Sequence, residues 1–164
     1  MALDVRTFGD PVLKTRAAPV ETFDVVLAHL AEEMLTTMRE HEGVGLAANQ
    51  VGRLKRILVA ATEEEEYVVV NPLIGEVAET MEKVVEGCLS IPGIQVEVER
   101  PTGVTVYGQD ARGAPLRIEA SGLLARIFQH EIDHLNGVLI LDRTDRESRK
   151  AAMREMRERL LAQS

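Results

Sequence analysis

The stretch that most restricts how this chain can fold is residues 129–137, with the sequence QHEIDHLNG. Four residues advance an α-helix by roughly 400°, so His130 and His134 stand one turn apart on one face, where their imidazoles can converge on a metal ion. Glu131 lies about 100° around the helix, where it can reach water at the metal but is badly placed to be a third ligand. The pattern therefore predicts a metal-binding helix that carries its own base.

The neighbours of the histidines on this helix are apolar. They are Leu123, Leu124, Ile127, Phe128 and Leu135. We therefore expect a helix that is apolar nearly all round and buried, with Ser121 as its N-cap and Gly137 just beyond its C-terminus. A polar triad inside such a helix must be satisfied, and a divalent cation would do so.

A third ligand is needed, and the sequence offers several candidates. Metzincin-type proteases place a histidine downstream, but this chain has Ile140 at that position. Glu155 and Glu158 lie at the distance used by thermolysin-like enzymes, in a strongly polar segment that we expect to face solvent. Cys88 would complete a Cys-His-His set, whose fourth tetrahedral position is left for water, as in catalytic zinc sites. A lone cysteine is otherwise typical of a small buried hydrophobe.

Periodicity places helices on either side of a run of strands. Residues 23–40 have the apolar spacing of an amphipathic helix, opened by Thr22 or Asp24. Strand patterns follow at 56–60, 67–70, 94–98, 104–106 and 116–118, and the acidic run at 63–66 is expected to be a hairpin turn. Short alternating strands joined by turns favour antiparallel sheets, so the predicted class is α+β.

Charge and composition exclude several classes of protein. The net charge of −8 argues against general nucleic-acid binding, so we expect no specific DNA partner, and one cysteine cannot form an internal disulfide. The first twenty residues lack the apolar core of a signal peptide, and no stretch has the length of a membrane span. We therefore expect a cytoplasmic protein that does not bind membranes, with residues 1–164 forming one domain.

The loop after the first helix contains G-x-G-x-x-A at residues 43–48, a relaxed form of the dinucleotide-binding fingerprint. A Rossmann loop follows a strand and opens a helix, whereas this loop follows a helix and precedes a strand. The alternative use of such glycines is to let the backbone of a ligand approach closely, with the Gln50 amide at the end of the loop.

Three segments together resemble a known family. GVGLAANQ (43–50), EGCLS (86–90) and QHEIDHLNG (129–137) are similar, in order and spacing, to the three signature motifs of the bacterial peptide deformylases. The resemblance extends from around residues 10–13 to the C-terminal helix. It implies a compact α+β fold with antiparallel sheets around the metal-binding helix. It also implies hydrolytic removal of the formyl group from the N-terminal formyl-methionine of new polypeptides.

The resemblance also implies roles for individual residues. The implied metal ligands are Cys88, His130 and His134. Glu131 would be the catalytic acid/base, Gln50 and the backbone N–H of Leu89 would hold the formyl oxygen, and Gly45 would contact the peptide backbone. The donor set alone suits zinc, iron, cobalt or nickel. The family implies Fe²⁺, with Zn²⁺, Ni²⁺ or Co²⁺ as replacements.

Substrate contacts are partly readable. A methionine side chain needs a narrow apolar pocket, for which the candidates are Val44, Leu123 and Ile127. Glu86 is expected either to bound this pocket or to pair with an arginine such as Arg100. Gln95 stands where many relatives carry a basic residue, which leaves the contacts to the downstream peptide open. Asp133 is expected either to orient a histidine or the helix from behind, or to lie on the outer face.

The C-terminal segment differs in charge from the rest of the chain. Residues 144–147 (TDRE) match a capping box, and three apolar residues follow at helical spacing: Met153, Met156 and Leu160. Residues 143–164 contain seven basic and four acidic side chains, a net charge of +3, so the remainder carries −11. Together with the deformylase resemblance, this basic helix indicates a transient contact with the ribosome.

Two other functions compete with deformylation: a broad metalloprotease and a non-catalytic binding domain.

Overall fold

The computed structural model describes residues 1–163, which fold into four α-helices and seven strands. In chain order these are α1 (Val25–Glu40), β1 (Gly45–Ala47), β2 (Ile57–Ala61), β3 (Glu66–Val77), β4 (Met81–Cys88), β5 (Ile91–Pro101), β6 (Gly103–Gln109), β7 (Pro115–Ser121), α2 (Gly122–Leu135), α3 (Ile140–Arg143) and α4 (Arg146–Ala162). Single 3₁₀ turns span Pro11–Lys14 and Ala48–Val51. The predicted α+β class is confirmed.

The strands form two antiparallel groups. Five make one sheet in the order β1-β2-β3-β6-β7, and β4 pairs with β5 in a separate hairpin. All five predicted strands are present, although Arg56 lies just outside β2. The acidic run is largely a turn, with Glu66 already the first residue of β3. Periodicity did not reveal β4, because most of its residues are exposed.

The large sheet carries helices on both faces, and β2 shows why. Its alternate residues point in opposite directions. Ile57 and Val59 belong to the core under α1, whereas Leu58 and Ala60 belong to the core under α2. On its other flank α2 contacts β5, so it runs between the large sheet and the β4–β5 hairpin. The expected arrangement of sheets around a central helix is confirmed.

The helix ends follow ordinary capping chemistry. Asp24 caps α1, since its carboxylate accepts a hydrogen bond of 3.0 Å from the backbone N–H of Leu27. Ser121 precedes α2 as predicted, but its side chain makes no capping bond. Gly137 follows α2 with φ of 74°, a left-handed conformation that favours glycine. No helix within residues 1–163 combines the length and apolar character that a membrane crossing requires.

The C-terminal helix α4 docks differently from the prediction. Its N-cap is Asp145, which accepts from the backbone N–H of Ser148 at 2.7 Å; Thr144 instead donates to the carbonyl of Glu97. The predicted capping box was therefore wrong. The predicted apolar stripe was right only for Met156. Ala152 and Met156 pack on the β5 core, whereas Met153 is 39% and Leu160 70% exposed.

Candidate metal centre and active site

The fold brings one cysteine and two histidines together. The Sγ of Cys88, at the end of β4, lies 3.3 Å from Nε2 of His134, and the Nε2 atoms of His134 and His130 are 3.1 Å apart. All three ligand atoms lie within 4.8 Å of one another. Bonds of roughly 2.0–2.3 Å in a tetrahedral site would separate neighbouring ligand atoms by roughly 3.3–3.6 Å. The cluster therefore fits one divalent metal ion.

Residues considered as alternative ligands lie elsewhere. Glu155 is on α4, where it faces solvent and pairs with Arg159 at 3.4 Å. Glu158 is also exposed on that helix. Within residues 1–163, only the Cys88 group brings three potential ligand side chains of this kind together. The glycine loop is not a dinucleotide-binding loop, because its residues Gly45–Ala47 form an antiparallel strand and a 3₁₀ turn follows in place of an α-helix.

Behind the metal centre lies a buried carboxylate, Glu86. Its Oε1 is 3.0 Å from Nδ1 of His130, which leaves Nε2 of that imidazole facing the metal cluster. Arg100 donates two hydrogen bonds to it, of 2.6 and 3.0 Å, and Arg126 donates a third. Burial opposes ionisation, but the hydrogen bonds from His130 and Arg100 prevail and lower the pKa of Glu86 to about 2. Glu86 is thus a fixed anion behind His130.

The ion network continues to Asp133, which is buried on α2, the helix that also carries His130. Arg100 donates to it at 2.9 Å, and Arg143 grips it with two bonds of 3.0 and 2.7 Å. Asp133 therefore reaches His130 only indirectly, through Arg100 and Glu86. The prediction that α2 is apolar nearly all round was wrong, because Arg126, Gln129 and Asp133 are also buried on it. Each of these three makes hydrogen bonds within the network or to strand β5.

A cavity of about 560 Å³ opens over the metal centre. Its lining includes every site residue predicted from the sequence apart from His134: Val44, Gly45, Gln50, Glu86, Cys88, Leu89, Leu123, Ile127, His130 and Glu131. His134 lies beneath them and is 1% exposed. Val44 and Leu123 are exposed at the rim, whereas Ile127 is buried deeper. The apolar side chains therefore form an entrance and a wall beside the metal centre.

Glu131 faces this cavity from α2. Its Oε2 lies 4.0 Å from Nε2 of His130, and its Oε1 has no hydrogen-bond partner within residues 1–163. Burial raises the pKa of Glu131 to about 7, although the nearby charges of His130 and Arg100 oppose this rise. Gly45 allows the close approach, since a Cβ there would come within 2.6 Å of Glu131 Oε2. A free acceptor oxygen thus lies beside the metal cluster.

The Gln50 amide has a defined orientation. Its Oε1 accepts a 2.9 Å hydrogen bond from the backbone N–H of Ala47, so the NH₂ end must point the other way. That end donates to Ser90 Oγ at 3.1 Å and lies 3.5 Å from Cys88 Sγ. Leu89 lies between Cys88 and Ser90 in the chain, in the turn that joins β4 to β5. The NH₂ end of Gln50 therefore lies beside the metal ligand Cys88 and next to the turn that contains Leu89.

Sequence reasoning missed three residues of this site, Ser90, Arg126 and Arg143. Arg100, which shares Glu86 with Arg126 and Asp133 with Arg143, could be expected in the interior from the sequence. The inward alternation of Ile94, Val96 and Val98 continues to Arg100, which must then be buried and paired.

The fold and site define a metal-dependent hydrolase: a cysteine and two histidines form the ligand set at the base of an apolar cavity, beside a buried carboxylate and the Gln50 amide. Residues 2–150 match the polypeptide deformylase family model. The peptide deformylase of Parafrankia sp. is 46% identical over 94% of this chain and 85% of its own. Two crystal structures are also similar. The Thermotoga maritima peptide deformylase is 47% identical with a TM-score of 0.86, over 88% of this chain and 99% of its own. The Legionella pneumophila peptide deformylase is 39% identical with a TM-score of 0.92, over 100% of this chain and 99% of its own.

The chain belongs to the polypeptide deformylase family. It is a metal-dependent enzyme that removes the formyl group from the N-terminal formyl-methionine of newly made polypeptides.

Proposed function

We propose that deformylation takes place at the centre formed by Cys88, His130 and His134, with Glu131 as the general acid/base. The observation that carries this assignment is the convergence of three ligand atoms at the base of a cavity, beside a buried carboxylate with a free oxygen. A divalent ion held there would supply Lewis-acid chemistry, lowering the pKa of water from 15.7 to about 7.

Glu131 moves the proton in this proposal. Its free Oε1 accepts the proton of the attacking water and returns it to the departing amine, a contribution of about 10²–10⁴ in rate. The 4.0 Å between its Oε2 and His130 Nε2 keeps the carboxylate close to the ligands without making it one of them. Burial excludes bulk water from competing for the same proton.

Two donors would hold the formyl oxygen as negative charge develops on it. The NH₂ end of Gln50 is aimed toward the metal ligands by the Ala47 contact, and the backbone N–H of Leu89 belongs to the adjoining turn. By comparison with other oxyanion holes, each would contribute about 3–4 kcal/mol to transition-state stabilisation.

The cavity walls would select methionine. Val44, Leu123 and Ile127 provide apolar surface, and Gly45 lets the peptide backbone approach without a side chain in the way. Glu86 bounds this cavity, but its oxygens are already bonded to arginines and His130. We therefore assign Glu86 to holding His130 and not to binding substrate.

We also propose Fe²⁺ as the bound ion, with Zn²⁺, Ni²⁺ or Co²⁺ as substitutes. One thiolate and two imidazoles suit all four ions, and the deformylase resemblance favours iron. The test is metal analysis of protein purified without oxygen. Zinc as the main ion in protein from iron-replete cells would contradict the choice of iron.

We place the enzyme in the cytoplasm, where nascent chains emerge, and propose a transient contact with the ribosome through α4. Five basic residues line one exposed face of this helix: Arg146, Arg149, Lys150, Arg154 and Arg157. Deleting α4 would be a poor test, because Ala152 and Met156 cover the β5 core. Reversing charges with Arg154→Glu and Arg157→Glu should weaken ribosome co-sedimentation at low salt without changing turnover of a short peptide. Ribosome binding that is unchanged by salt and by both substitutions would exclude the proposal.

The decisive assay for the site uses a formyl-Met peptide and the metal-loaded enzyme. We expect formate release without cleavage of internal peptide bonds, whereas a broad protease would cleave internally and a binding domain would do neither. Glu131→Gln should retain the metal and lose at least ~10²-fold in kcat. A Glu131→Gln enzyme with normal kcat would refute the assignment of Glu131.

A further inference from the structure

Ser90 is a buried side chain that the proposed reaction does not use. It lies in the turn between β4 and β5 and is 0% exposed. Its hydroxyl oxygen accepts the 3.1 Å hydrogen bond from Gln50 Nε2, and its backbone carbonyl accepts a 2.8 Å bond from the N–H of Phe8. The carbonyl anchors the turn, so the hydroxyl is free to serve Gln50.

Without this hydroxyl, the Gln50 amide would keep only the bond from the Ala47 N–H to its Oε1 and the long 3.5 Å contact of Nε2 with Cys88 Sγ. The Ala47 N–H fixes the Oε1 end, but an amide anchored at one oxygen can still rotate about its side-chain bonds. Nε2 carries two hydrogens, and its two neighbours are Ser90 Oγ and Cys88 Sγ. With one hydrogen committed to Ser90, the other points toward the metal ligand Cys88, where a formyl oxygen would be bound.

We propose that Ser90 is a positioning residue for deformylation, whose hydroxyl holds the Gln50 amide so that its second N–H faces the substrate oxygen. This inference rests on the proposed role of Gln50. Ser90 also immediately follows Leu89, so the same turn places both proposed donors. Ser90 itself touches no reacting atom.

The test is a double-mutant cycle on kcat with metal-loaded enzyme. Gln50→Ala removes a donor and should lower kcat by about 10²–10³-fold. Ser90→Ala should lower kcat by about tenfold, since the donor remains but is no longer held, and should leave KM and metal content unchanged. In the Gln50→Ala background, Ser90→Ala should change kcat less than twofold, because nothing is left to position.

A matched control separates positioning from general destabilisation. Thr37 is also 0% exposed, and its hydroxyl accepts from the Leu3 N–H at 2.8 Å and donates to the Glu33 carbonyl at 2.7 Å. Thr37→Val removes a hydroxyl whose two partners, Leu3 and Glu33, do not line the cavity. It should lower the melting temperature at least as much as Ser90→Ala does and leave kcat unchanged.

A second measurement does not depend on turnover. In ¹⁵N-labelled protein the Gln50 side-chain NH₂ signals, identified by their loss in Gln50→Ala, should exchange with solvent at least tenfold faster in Ser90→Ala. Unchanged exchange, or a tenfold loss of kcat that persists in the Gln50→Ala background, would overturn the proposal for Ser90 alone. Normal kcat in Gln50→Ala would instead overturn the proposed role of Gln50, and this inference with it.

Discussion

Replacing Glu86 with glutamine is the sharpest test of the buried ion network behind the metal centre. The carboxylate accepts three bonds from Arg100 and Arg126 and faces His130 Nδ1 at 3.0 Å. Glutamine has nearly the same shape but carries no charge. Its NH₂ end would also meet guanidinium donors that need an acceptor, so two buried cations would lose their shared anion.

The magnitude follows from the burial of the partners. Arg100 is 4% exposed and Glu86 6%, so water cannot replace the lost charge. Removing one partner of a buried ion pair costs about 3–5 kcal/mol. A domain is stable by only about 5–15 kcal/mol in total, so this loss is a large fraction. For a chain of this length it corresponds to a fall in melting temperature of about 6–20 °C.

Thermal unfolding of metal-free protein is the assay, since the buried arginines need Glu86 whether or not metal is bound. Glu66→Gln is the matched control. It makes the same chemical change in the ion pair of Glu66 and Arg39, in which the Glu66 side chain is 36% exposed and the Arg39 side chain 51%. Because water screens this pair, the melting temperature should shift by less than about 2 °C. Equal, small shifts in both variants would show that the network adds little to stability. Metal affinity of Glu86→Gln, measured by chelator competition, should fall about 10–100-fold because His130 loses its anionic partner.

Three further substitutions test the site and the fold. Gly45→Ala would place a methyl group within 2.6 Å of Glu131 Oε2, so kcat should fall about 10²-fold at unchanged metal content; normal turnover would show that the carboxylate can move aside freely. Cys88→Ala should lose the metal and the activity together, and full occupancy by elemental analysis would exclude Cys88 as a ligand. Gly137→Ala would force alanine to adopt a φ of 74° and bring its Cβ within 2.7 Å of the Lys14 carbonyl oxygen. The free energy of unfolding, measured in urea, should fall by about 1–3 kcal/mol, and an unchanged unfolding midpoint would contradict this expectation.

Local periodicity was a good guide wherever one face of an element is buried. The strand at 94–98 was predicted because Ile94, Val96 and Val98 all point into one core. Its partner β4 escaped notice, because only one of its residues, Glu86, is fully buried and that residue is charged. The same limit explains the C-terminal helix. Its apolar residues suggested a stripe, but the small Ala152 makes the buried contact and Leu160 faces solvent.

By itself the sequence determined what lies within one turn of helix or a few residues of strand. The facing pair His130 and His134, the adjacent Glu131 and the α+β class all follow from spacing, because backbone geometry repeats regularly over short distances. Spacing could not decide which distant groups complete the site: the family resemblance implied Cys88 and Gln50, and only the tertiary structure showed which side chains they meet. Cys88 meets His134 across 46 residues, and Ser90 meets Gln50 across 40. Such meetings depend on how a hairpin packs beside a helix, and packing responds to the shape and charge of every neighbour at once.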